Sequence, residues 1–152
     1  MKDIKGILII LVFLVGLNSN VQSQTRKISK GKIGFTCDDT GAASWTVKKV
    51  SKLIDASDHK AILKLIDSRN PAEQFLGVIA IETFTELGKI KLTKEIDTKI
   101  SKLYSSKKII EVCEGCIYVE KVTLKELLDK KVPHRMNKNA IAWLESKIEN
   151  NK

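Results

Sequence analysis

The sequence predicts a mainly α fold: a small domain of antiparallel helix pairs, with a possible short β-hairpin around Cys113 and Cys116. Three observations lead there. Apolar residues recur at helical spacing through most of the chain, and several of these runs begin on a residue suited to capping. One run, Pro71 to about Leu87, is apolar on most sides and belongs at the buried centre. The exception is Ile109 to Val122, where Ile, Val and Tyr favour strands.

Taken in order, Ser44 to Asp55 carries Val47, Val50, Leu53 and Ile54 at helical spacing, and Trp45 opens this helix as its expected anchor to the core. Ser57 and Asp58 cap a shorter helix with Ile62, Leu65 and Ile66 on one face. Asn70-Pro71-Ala72-Glu73 is a strong helix start: Asn70 can cap, Pro71 suits the first helical position, and Glu73 favours the positive end of the dipole. Gly88 is the natural stop. Thr93 caps a helix with Ile96, Ile100, Leu103 and Tyr104. Thr123-Leu124-Lys125-Glu126 is a capping box ahead of Leu127 and Leu128, and Pro133 ends that segment. The last helix is expected from about Lys138 to Ile148, with Ile141, Leu144 and Ile148 inward and Trp143 beside them. In Ile109 to Val122, Glu114-Gly115 suggests a two-residue hairpin turn. A helix running into a loop fits the same residues, and the hairpin is the preferred reading. Lys52-Leu53-Ile54-Asp55 recurs as Lys64-Leu65-Ile66-Asp67, a spacing too short for a solenoid repeat; it reads as two similar helix ends.

Residues 1–23 read as a secretory signal peptide: a short basic start, an apolar run from Ile7 to Leu17, then Val21-Gln22-Ser23 before the cleavage point. The apolar run is about half of what a spanning helix needs. Residues 24–43 then form an N-terminal arm and turn, and residues 44–150 the helical domain. The expected location is therefore the periplasm or outside the cell, with no stable membrane span after cleavage. The chain has 27 basic and 18 acidic residues in 152, a net charge of +9. Losing Lys2, Lys5 and Asp3 with the leader lowers that by one. Only Arg26, Arg69 and Arg135 are arginines, the residue best suited to reading phosphates and base edges, so nucleic acid is disfavoured as a partner. The lysines are spread along the chain and read as solvated helix faces.

The succession of short helices and tight loops resembles the HEAT-type helical repeat over Leu65 to Gly88, through Asp67-Ser68-Arg69-Asn70-Pro71, Ala80-Ile81 and Leu87-Gly88. Glu73, Gln74 and Gly77 depart from that repeat, which usually has Val-Arg and Ala there. The resemblance implies a right-handed stack of helix pairs and a protein-binding surface.

Cys37, Cys113 and Cys116 are the candidate site residues. Export to an oxidising compartment makes pairing the default. The first expectation is a Cys113–Cys116 disulfide, with Cys37 bonded to one of them as the alternative, and one cysteine left over. A redox Cys-x-x-Cys is disfavoured by Glu114 inside the motif, which would raise a thiol pKa, and by the lack of strand–helix alternation. Zinc bound by the three cysteines and His134 would need a second close ligand pair, which is missing. Asp39-Thr40-Gly41-Ala42 resembles the Asp-Thr-Gly-Ala element of aspartic proteases, but those are built of strands and this body is helical, so it reads as a turn. His59 and His134 read as surface residues. No nucleophile elbow and no phosphate-cradling loop is present. The sequence thus points to a non-catalytic interaction or structural module with no cofactor and with protein as its expected partner. Two alternatives stand beside it: a thiol–disulfide or metal-linked role for Cys113 and Cys116, and lysine-mediated binding to an anionic surface or polymer.

Overall fold

The computed structural model describes residues 31–37, 40–115 and 118–150. The leader, Asp39 and Cys116 lie outside them. Among the described residues the chain runs β1 (Lys32–Ile33), α1 (Trp45–Asp55), α2 (His59–Lys64) with a 3-10 turn (Leu65–Asp67), α3 (Pro71–Glu86), α4 (Lys94–Leu103), β2 (Ile109–Glu114), β3 (Tyr118–Thr123), α5 (Leu124–Leu128) and α6 (Arg135–Glu149). The fold is mainly α with a small three-stranded sheet.

The helices begin where the capping residues stand. Asp58 Oδ1 accepts from the Ala61 amide at 3.0 Å, and Asn70 Oδ1 from the Ala72 amide at 3.0 Å. Thr123 Oγ1 accepts from the Glu126 amide at 3.2 Å while Glu126 Oε2 accepts from the Thr123 amide at 2.8 Å, closing the capping box. α6 starts at Arg135, three residues before the expected Lys138, because the imidazole of His134 is itself the cap: its Nδ1 accepts from the Met136 amide at 3.0 Å.

α3 is the axis of the domain. All residues from Ala72 to Ile81 are buried, and Phe84 as well. Each large side chain so buried contributes roughly 1.5–3 kcal/mol from the water it sheds. Gly77 lets the 3-10 turn come close, since a Cβ there would stand 2.7 Å from the Leu65 Cβ. Gln74 locks the same contact, its Nε2 donating to the Ile66 carbonyl at 3.1 Å. Glu73, Gln74 and Gly77 are therefore core-building residues here.

The strands lie in the order β1-β2-β3. β2 and β3 are antiparallel, from Ile109 opposite Thr123 to Glu114 opposite Tyr118. Glu114 still belongs to the ladder, so the connection spans residues 115–117 and not the expected two-residue Glu114-Gly115 turn; Gly115 begins it with φ +61°. β1 joins the other side of β2 in parallel, with Ile33 opposite Val112 and wholly buried. Two expectations for the helices are corrected. Trp45 is 42% exposed and Ile141 39% exposed, so neither reaches the core. No helix among the described residues is long and apolar enough to cross a membrane.

Candidate functional site

A disulfide joins Cys37 to Cys113, across 76 residues of chain. This corrects the expected Cys113–Cys116 bond. The reason lies in the sheet: β1 runs alongside β2, and the segment that follows it delivers Cys37 to Cys113 near the end of that strand. The Cys37 amide donates to the Ala42 carbonyl at 2.8 Å, and the Gly115 amide to the Thr36 carbonyl at 2.8 Å. Gly41, at φ +63°, turns the loop between Cys37 and Ala42, in keeping with the turn expected there. Gly34 is packed so tightly that a Cβ would overlap the Cys113 carbonyl oxygen and both sulfurs. Both half-cystines are about as buried as the core, at 2% and 1% exposure. A bond so enclosed is closed to an incoming thiolate, which must reach sulfur to exchange.

Of the four candidate zinc ligands, the three among the described residues have other partners. Cys37 and Cys113 face each other as a disulfide, and His134 spends its Nδ1 on the α6 cap with Nε2 3.4 Å from Glu120 Oε2. Among the described residues no three His, Cys, Asp or Glu side chains are grouped to hold a metal ion. His59 is half-buried, its ring 5.2 Å from that of Phe84.

Two polar clusters escaped the sequence reading. On one side of the domain, Tyr104 from the end of α4 donates to Glu82 Oε1 at 2.8 Å, and Lys130 Nζ lies 3.0 Å from Glu82 Oε2. They line a cleft of about 360 Å³ together with Ile79 and Ile141. Burial, aided by the Glu82 carboxylate, pushes the Tyr104 phenol up to about 12. It therefore stays protonated near neutrality and acts as a donor, not a base. No sequence signal pairs residues 22 positions apart on separate helices.

On the other side, Glu73 is buried and accepts from Lys49 Nζ at 2.8 Å and Ser68 Oγ at 2.9 Å. The same Lys49 ammonium lies 5.4 Å from the centre of the Trp45 ring, close enough for a cation–π attraction. Trp45 and Lys49 stand where two open grooves meet. One, of about 560 Å³, follows α1 past Lys48, Lys52 and Leu53. The other, of about 480 Å³, leads to Arg69 and Asn70. This surface combines an exposed ring with a surplus of cations.

Comparison with known proteins finds no matching family, no matching curated protein and no matching solved structure.

Proposed function

We propose that the chain works outside the cytoplasm as a non-catalytic interaction module whose arm is stapled to its body. The observation that supports this most is the buried Cys37–Cys113 disulfide. Disulfides persist in oxidising compartments, in keeping with the signal-like leader. Their burial here suits a structural staple better than a redox centre. The helical-repeat resemblance over Leu65 to Gly88 points in the same direction, toward a protein partner. The test is fractionation of cells expressing the full chain, with thiol counting on the recovered protein. Processed, disulfide-bonded chain in the periplasm or medium is the expected result; unprocessed, reduced chain in the cytoplasm would contradict it.

A second reading, binding of an anionic surface or polymer through lysines, is favoured by a specific observation. Lys48 and Lys52 are exposed one turn apart on α1, beside the exposed face of Trp45.

A further inference from the structure

The charges around Trp45 are not balanced locally. Three acids on this and the neighbouring elements are held by lysines: Asp55 by Lys147 at 3.0 Å, Asp67 by Lys99 at 3.1 Å, and Glu73 by Lys49 at 2.8 Å. Among the described residues Lys48, Lys52 and Arg69 have no ion-pair partner, and all three are exposed and line the two grooves that share Trp45. The Asn70 side chain lines the same surface. Its Oδ1 is used in capping α3, while its Nδ2 is shielded from solvent and has no hydrogen-bond partner. The surface thus offers a flat ring and three uncompensated cations, arranged along a trough rather than around a pocket.

From this we propose that the paired grooves meeting at Trp45 bind an acidic polysaccharide chain. The proposal rests on the reading of the protein as an exported binding module. An extended chain of sugar rings fits an elongated, open trough. The apolar face of a sugar ring stacks on an indole. The chain's carboxylates meet Lys48, Lys52 and Arg69. Lysine is a compact point charge, suited to carboxylates presented at varied angles. Single-stranded nucleic acid would also stack on Trp45, but this surface has a single arginine fork for its phosphates. A membrane is matched less well, because Trp45 lies in a groove and is more than half covered.

The experiment is calorimetric titration of the full processed chain with polygalacturonate at several salt concentrations. Wild-type protein should bind with an affinity that falls as salt rises. Trp45→Ala should weaken binding about tenfold or more, the scale of one lost stacking contact. The double variant Lys48→Gln/Lys52→Gln should also bind more weakly, with the slope of log affinity against log salt reduced by about one to two units. Lys91→Gln/Lys102→Gln removes the same charge from exposed positions outside the grooves, and should bind within about twofold of wild type. Far-UV circular dichroism checks folding. Should Trp45→Ala unfold, the exposed lysine pair carries the test. Four results would overturn the site: no wild-type binding; no effect at Trp45 in a folded variant; equal weakening by the two lysine pairs; or Trp45-dependent binding tighter for oligothymidylate or phosphatidylglycerol vesicles. Each leaves the interaction-module reading standing if the chain is still exported and oxidised. Cytoplasmic, reduced chain would instead sink that reading, whatever the polymer does.

Discussion

Gly34 shows how much can hang on a missing methyl group. A Cβ there would strike the Cys113 carbonyl oxygen and both sulfurs of the staple. Gly34→Ala is therefore expected to lower stability by about 1–3 kcal/mol, the usual cost of overpacking, in urea denaturation of the oxidised protein. Glu73 makes the opposite point, since here a charge is buried because its partners come with it. Glu73→Ala leaves Lys49 and Ser68 without their acceptor and should cost about 1–3 kcal/mol. The sequence marked Glu73 only as a helix-start residue, because nothing local announces a partner 24 positions away. Trp45 was more legible than the reading allowed. It stands two positions from Val47, about 200° round the helix, so the buried face of α1 turns it outward. At this scale the sequence carries direction around a helix but not the identity of distant partners.

Among the elements, the caps were the most readable feature, because Asp58, Asn70, Thr93 and Thr123 act within three residues of themselves. The Thr123–Glu126 box is also pH-sensitive. Hydrogen bonds from the Thr123 side chain and then its backbone hold the Glu126 carboxyl below its ordinary 4.5. A depressed carboxyl contributes stability above its unfolded pKa and loses it as pH falls through the folded value. Thr123→Ala should thus destabilise the protein near neutrality by removing the cap, with the difference from wild type shrinking as pH falls below 4.5. Thermal melts across pH 3–7 would show it, and a constant gap would contradict the box. The Tyr104–Glu82 bond has the reverse sign. With the phenol raised to about 12, its stabilising effect is whole below the ordinary value of 10.0 and is lost as pH climbs from there through 12. Tyr104→Phe should remove that alkaline component. β1 was the element least visible in the sequence. It is two residues long, and its place beside β2 depends on a pairing across about half of the chain.

At the scale of the molecule, the staple ties the N-terminal segment to the middle strand of the sheet and closes a loop of 76 residues. In the chain-entropy account such a closure is worth about 4 kcal/mol, a large share of the stability of a domain this size. The odd cysteine count announced an ambiguity, and the close Cys113–Cys116 spacing favoured the local bond. What decided otherwise was topology, since the parallel addition of β1 brings Cys37 to Cys113. The same arrangement sets the surface on which α1 presents Trp45 and its lysines. Reduction, or Cys37→Ser, should lower the melting temperature markedly while leaving the helical signal of the remaining body in place.

The most direct test of the account is non-reducing peptide mapping of the exported protein by mass spectrometry. A cross-linked pair, one peptide carrying Cys37 and the other Cys113, is the predicted result. A bond between Cys113 and Cys116, or three reduced thiols, would contradict the staple and with it the proposed role built on it.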